Sequence, residues 1–149
     1  MSSLTVLGFD YGKARIGVAV INTLAGVATP QSTIQARDGT PDWDAISRCL
    51  QEWKPARLVV GMPRKLDGSD SAMQEPIERF IRQLQGRYNL PVDVVNEQLS
   101  SREAEQRLKL ARQAGRKRKI SKQEIDQMAA AIILESWMQE YAHGQQELL

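Results

Sequence analysis

The sequence predicts an α/β layered domain built on a mixed sheet, with three antiparallel strands first, parallel strands after, and helices flanking both. Three observations carry that expectation. Apolar runs of strand length alternate with stretches whose apolar residues recur at helical spacing. The first three strand candidates follow one another through short links, as antiparallel neighbours do. The later strands are separated from each other by helices, the connection that parallel strands need. The chain has 149 residues, long enough to bury ~70% of the surface its unfolded form exposes. No repeat or linker divides it, so residues 1–149 are read as a single domain.

Leu4 to Asp10 is an apolar run ending in Asp and followed by Gly12, a buried strand and then a turn. Ile16 to Ile21 is the second strand, and the Tyr11 to Arg15 link is of hairpin length. Gly26 and the stretch from Ala28 to Ile34 suggest a third antiparallel strand. Thr40 and Pro41 read as a cap and first-turn pair for a helix whose stripe is Trp43, Ile46, Leu50 and Trp53. Cys49 lies beside that stripe and is assigned to packing. Arg57 to Gly61 is a short strand ending toward Pro63, with a polar loop to Ser71. A helix then runs toward Gly86 with Met73, Ile77, Phe80, Ile81 and Leu84 inward, its regular part expected from Pro76. Val92 to Asn96 is the next strand, with Glu97 at its end. Ser100 with Glu103 forms a capping box for a helix through about Ala111, and Ser121 with Glu124 repeats the device for the last helix. Ile125, Met128, Ala129, Ile132, Ile133 and Trp137 give that helix an apolar face. The first strand is expected to be central.

Composition excludes several classes of function. Hydrophobic residues are 42% and charged residues 26%, which fits neither a disordered tail nor a collagen-like array. No stretch approaches the roughly 20 apolar residues a bilayer requires, and Met1 to Gly8 lacks the basic start and apolar run of a secretory signal. The expected address is cytoplasmic, with no membrane partner. One Cys makes no internal disulfide, and one Cys with one His builds no usual zinc cage, so a bound metal must sit on oxygen.

Charge is unevenly spread. The net charge is +2, yet Gln98 to Lys122 holds nine basic and two acidic residues, a local +7. Such a block, with Arg112 at its start and Arg116, Lys117, Arg118 and Lys119 consecutive, reads as a surface for a polyanion, nucleic acid above all. A solvated loop is the competing account. Lys13 and Arg15 in the first hairpin, and Arg64 and Lys65 after Pro63, stand near strand ends where they could clamp phosphates. Ordinary loop charge is again the alternative.

Three acids are placed where acids are expensive. Asp10 ends a nearly all-apolar strand, and an ionised carboxylate there needs a cation or several donors beside it. Glu97 ends another strand of the same sheet, and strand ends are where α/β sheets collect their sites. Asp126 lies on the last helix between Ile125 and Met128, close to the buried stripe. Converging, these three would make a hard-oxygen site for Mg²⁺ or Mn²⁺, suited to phosphodiester hydrolysis by one metal or by two ~4 Å apart. Otherwise each acid is separately a cap or an ion-pair partner. Gly12 to Gly17 has P-loop spacing, but Val18 and Ala19 stand where Lys and Ser or Thr are required. No GxSxG elbow is present, and His143 falls in a polar tail, so triad chemistry has little support. Trp43, Trp53 and Trp137 lie on helical stripes and read as core.

Four segments in order carry a family pattern: Gly8-Phe9-Asp10-Tyr11-Gly12-Lys13-Ala14-Arg15-Ile16-Gly17-Val18-Ala19, then Val60-Gly61-Met62-Pro63 with Asp67-Gly68, then Asn96-Glu97-Gln98-Leu99-Ser100-Ser101-Arg102-Glu103-Ala104, and finally Asp126-Gln127-Met128-Ala129-Ala130-Ala131-Ile132-Ile133-Leu134. Over nearly its whole length the chain resembles the YqgF-type pre-16S ribosomal RNA nucleases, relatives of Holliday junction resolvases with an RNase H-like fold. The resemblance implies that Asp10, Glu97 and Asp126 are the catalytic, metal-binding acids. It also implies a hydrolase that trims precursor ribosomal RNA, with Mg²⁺ or Mn²⁺ as cofactor and water as nucleophile. Lys13, Arg15, Arg64, Lys65, Ser100, Arg112 and residues 116–119 are the candidate nucleic-acid contacts. A monomer or weak homodimer is expected. The chain departs from the family at Asn96 and Gln98, where relatives commonly carry an acidic and a basic residue, and at Arg64-Lys65. Junction resolvases place a further acid one helical turn from the last Asp; here those positions are Gln123 and Ala129, which favours RNA over branched DNA. The alternatives are a resolvase-type DNA endonuclease and a non-catalytic nucleic-acid-binding or transcription-associated module. An Hsp70-like ATPase ranks below both, since a second lobe is missing.

Overall fold

In a computed structural model of the chain, the backbone is described for residues 3–63, 72–97, 100–113 and 120–147, and side chains over the same ranges except 97, 100–102, 112–113 and 143–147. The strands are β1 (Thr5–Tyr11), β2 (Arg15–Asn22), β3 (Ala28–Arg37), β4 (Thr40–Pro41), β5 (Arg57–Pro63) and β6 (Val92–Glu97). The helices are α1 (Trp43–Trp53), α2 (Gln74–Tyr88), α3 (Ser100–Gln113) and α4 (Lys122–Glu147). The six strands form one sheet in the order β4-β3-β2-β1-β5-β6, so β1 is interior as expected. β1, β2 and β3 pair antiparallel, and β1 with β5 and β5 with β6 pair parallel.

Strand alternation divides the core between the two sheet faces. Leu7, Phe9 and Tyr11 of β1 pack with Ile46 and Leu50 of α1 and Ile77, Phe80 and Leu84 of α2. Val6 of β1, Ala19 and Ile21 of β2, and Val59 of β5 pack on the other face with Ala130, Ala131, Ile133, Leu134 and Trp137 of α4. A third cluster of Ala104, Ala129 and Ile132 joins α3 to the back of α4. The layers are therefore α1 with α2, the sheet, α4, and α3 outermost.

Helix α4 differs from the single-striped helix the sequence suggests. Every residue from Ala129 to Leu134 is buried, because the sheet covers one side and α3 the other. Its close seat on the sheet depends on glycine. A Cβ added at Gly8 of β1 would lie 2.5 Å from Leu134 Cγ, one at Gly61 of β5 would lie 2.4 Å from Ile133 Cδ1, and one at Gly17 of β2 would lie 2.0 Å from the Asp126 carbonyl oxygen. Three adjacent strands thus carry a glycine where α4 crosses them.

Two boundaries are corrected by the structure. Thr40 and Pro41 do not cap α1; they form β4 against the end of β3, pairing Ala36 with Pro41 and Arg37 with Thr40. The cap is Asp42, whose Oδ1 accepts from the Ala45 N–H at 3.2 Å. Helix α2 begins at Gln74 rather than at Pro76, since a proline in the first turn lacks only an N–H that would have no helical partner there. The Ser121 cap of α4 is present, with Oγ accepting from the Glu124 N–H at 3.2 Å, and His143 lies within the last turns of α4 rather than in a tail. The cap expected at Ser100 involves side chains outside the described ones. Trp137 is buried, as expected, and donates through Nε1 to Asp93 Oδ2 at 2.8 Å. Trp43, Trp53 and Cys49 pack at the margin of the α1 side of the core.

The glycines separate by role. Gly86 of α2 has open space around it, so Gly86→Ala should stabilise the protein by about 0.5–1 kcal/mol. Gly8→Ala should destabilise it by about 1–3 kcal/mol, since Leu134 has no room to retreat. Thermal unfolding of both variants checks the pair.

Candidate active site

Asp10 sits at the C-terminal end of β1 on the α4 side of the sheet, the face shared by Val6 and Gly8. In register it pairs with Gly17 of β2, and Gly17 pairs in turn with Thr33 of β3. These three residues make one row across the sheet, and the start of α4 lies over it. The Asp126 peptide rests above Gly17. Thr33 Oγ1 donates to the Gln123 carbonyl at 3.2 Å and accepts from Gln127 Nε2 at 3.0 Å. One threonine hydroxyl therefore holds this segment of α4 before and after Asp126.

The two carboxylates meet different counter-charges. Arg15, the first residue of β2, donates through Nε to Asp126 Oδ2 at 2.7 Å. Asp10 has no such partner among the described residues, and burial first, then the nearby Asp126 carboxylate, pushes its carboxyl from 3.8 up to about 7. Near neutral pH a proton thus partly occupies Asp10, and an Arg–Asp pair stands next to it. Removing that proton leaves a negative site between strand end and helix start, lined by hard oxygen atoms.

Sequence reasoning named Asp10 and Asp126, and the structure brings them together. Glu97 ends β6 in register with Pro63 of β5, at the same end of the sheet as Asp10, with its side chain outside the described ones. Among the described residues no three Asp, Glu, His or Cys side chains gather into a metal-holding group. Lys13 is exposed in the β1–β2 link. Arg64, Lys65, Arg116, Lys117, Arg118 and Lys119 lie outside the described residues, as do the side chains of Ser100 and Arg112. The sequence reading missed the roles of Gly17, Thr33 and Gln127. A glycine inside a strand is a signal of close backbone approach and pointed to Gly17; nothing in the sequence signals the Thr33–Gln127 bond, which spans 94 positions.

The model of the RuvX family, described as Holliday junction resolvase, matches residues 4–140. The chain belongs to the RuvX family. Among its relatives, a protein of Hydrogenovibrio crunogenus is 47% identical over 133 residues, covering 89% of this chain and 92% of that protein. One of Legionella pneumophila is 45% identical, covering 90% and 94% respectively. Both carry the name "Putative pre-16S rRNA nuclease". In fold, this RuvX protein is similar to Thermus thermophilus RuvC in complex with Holliday junction substrate, with a TM-score of 0.54 at 14% identity over 93% of this chain and 96% of that one. The fowlpox virus resolvase, also in a complex with Holliday junction DNA, gives a TM-score of 0.54 at 13% identity over 93% and 99%. The expected RNase H-like architecture is the one these resolvases share.

In the absence of divalent cations, the raised Asp10 value means the folded protein holds a proton that the unfolded chain releases above 3.8. Stability therefore falls as pH rises from about 4 to about 7 and is level above that. Asp10→Asn removes the penalty, so its Tm in EDTA should exceed the wild-type value by about 3–8 °C near pH 8 and differ little near pH 4. Gly17→Ala should cost about 1–3 kcal/mol and remove the Arg15–Asp126 contact, which a crystal structure of the variant would show directly.

Proposed function

We propose that this RuvX protein is a metal-dependent nuclease that hydrolyses phosphodiesters at the 5′ end of precursor 16S ribosomal RNA, within one RNase H-like domain of residues 1–149. The observation that carries the reading is the seating of Asp126 beside Asp10 at a strand end, with one carboxyl raised to about 7. Strand alternation supports Glu97 as the third acid. Asp93 bonds Trp137 of α4 and Val95 is buried in the α4-side core, and Glu97 follows at the next position of that period. Asp10, Glu97 and Asp126 would hold Mg²⁺ or Mn²⁺, whose chemistry at such a site is to polarise the phosphate and make bound water acidic.

The chain's own groups have separate tasks in this reading. Arg15 balances Asp126 and stands at the start of β2, where a phosphate oxygen can share its guanidinium. Lys13, Arg64, Lys65, Ser100, Arg112 and residues 116–119 bind the nucleic-acid backbone around the acids, so binding weakens steeply with salt. The product is released without a covalent intermediate. The relatives' names favour RNA. The family description favours junction DNA, but one helical turn from Asp126 stand an exposed Gln123 and an Ala129 buried against α3, leaving no fourth acid there. No helix among the described residues is long and apolar enough to cross a membrane.

The test is cleavage of precursor ribosomal RNA, mature ribosomal RNA and a four-way DNA junction, with Mg²⁺ or Mn²⁺ and with EDTA. Precursor should be cut at its 5′ end, EDTA should stop the reaction, and Asp126→Asn should lower the rate by at least about 100-fold. Preferential junction cleavage would establish the resolvase reading. Metal-independent cutting, or equal activity in the variant, would overturn the assignment of the acids.

A further inference from the structure

On the sheet face away from α4, the rim beside Asp10 forms a second feature. A cleft of about 310 Å³ is lined by Tyr11, Lys13, Asp38, Gly39, Pro76 and Arg79. A second of about 280 Å³ adjoins it and shares Asp38, Gly39 and Arg79. Its floor is held by the β3–β4 turn, where Asp38 and Gly39 both have positive φ, 51° and 84°. The Gly39 N–H donates to the Lys13 carbonyl at 3.0 Å, and the Tyr11 hydroxyl donates to the Gly39 carbonyl at 2.5 Å. The β1–β2 link is therefore tied to the turn, which fixes the backbone of Lys13 at the cleft. Arg79 comes from α2 on the other wall.

Lys13 and Arg79 are both exposed, and neither has an ion-pair partner among the described residues. By contrast Arg15, Arg57 and Arg107 are paired with acids and Arg87 lies over the Trp43 ring. With Asp38, the three charged residues lining the cleft sum to +1. Tyr11 directly follows Asp10 and points to the opposite face, so the cleft and the acids share the end of β1. The cleft therefore opens at the same strand end as Asp10, on the opposite face of the sheet.

We propose that Lys13 and Arg79 form a phosphate-binding subsite for the nucleic-acid backbone flanking the scissile phosphate, on the α2 side of the sheet. This rests on the nuclease reading for its orientation but not for its existence. Arg79 holds the phosphate as a fork donor and Lys13 as a point charge, while Asp38 limits how tightly the strand is held.

The experiment is binding of a short, fluorescently labelled single-stranded RNA to full-length Asp10→Asn protein, over a salt series, so that no turnover is needed. Adding Arg79→Gln should weaken binding about 3- to 10-fold at low salt and reduce the slope of log affinity against log salt by about 0.7. Arg82→Gln removes the same charge from the same helix outside the cleft and should change neither. Asp38→Asn, which a left-handed backbone position tolerates, should strengthen binding. Equal effects of Arg79→Gln and Arg82→Gln, or weaker binding by Asp38→Asn, would overturn the subsite. So would saturable binding of inorganic phosphate that needs Arg79 while RNA binding does not, since that assigns the cleft to a free anion. An Arg79-dependent affinity in a protein that never cleaves RNA would leave the subsite standing and remove the nuclease reading.

Discussion

The approach of α4 to within backbone contact of the sheet is the constraint on which the rest of this molecule depends. A helix normally rides on the side chains of a sheet at a distance those side chains set. Here Gly17, Gly8 and Gly61 remove them along three neighbouring strands, and Ile133, Leu134 and the Asp126 peptide descend into the space. A carboxylate on a helix can then stand beside one on a strand. The same closeness buries α4 on the sheet side, while α3 buries it on the other, so the element that carries Asp126 is also at the centre of one half of the core.

That placement brings two negative groups together in a partly buried spot, and the protein answers each differently. Asp126 receives Arg15 from the neighbouring strand, while Asp10 keeps a proton to unusually high pH because burial disfavours its ionised form. A site with one paired and one proton-holding acid is at rest without being satisfied. Once Asp10 ionises, two carboxylates share the one described counter-charge of Arg15, and that surplus of negative charge is the physical ground for the cation site proposed above. Thr33 and Gln127 add rigidity, since the bond between them ties α4 to β3 immediately after the acid.

Much of this was legible in the chain. Apolar runs of strand length marked every strand except β4, apolar residues at helical spacing marked α1, α2 and α4, and a capping-box pattern marked α3. Asp10 and Glu97 stood out as acids at the ends of apolar strands, and Asp126 as an acid beside a buried stripe. The failures share a cause. Thr40 and Pro41 look like a helix start because their residue types suit one, but the pairing partner that makes them a strand, Ala36 and Arg37, is recognised only once β3 turns back through Asp38 and Gly39. The face of α4 was read too narrowly because one stripe leaves out Ala130, Ala131 and Leu134; the helix is buried by two neighbouring layers, the glycine-thinned sheet on one side and α3 on the other.

The sequence by itself determined the order of elements other than β4, the parallel and antiparallel halves of the sheet, and which acids sit at chemically unfavourable positions, because these follow from side-chain pattern and the cost of isolated charge. The tertiary structure alone decided which cation neutralises which acid, that Thr33 ties down the start of α4, and that Lys13 and Arg79 line one cleft. Those pairings join residues far apart in the chain, and their partners are chosen by strand register and helix seating, which no local pattern encodes.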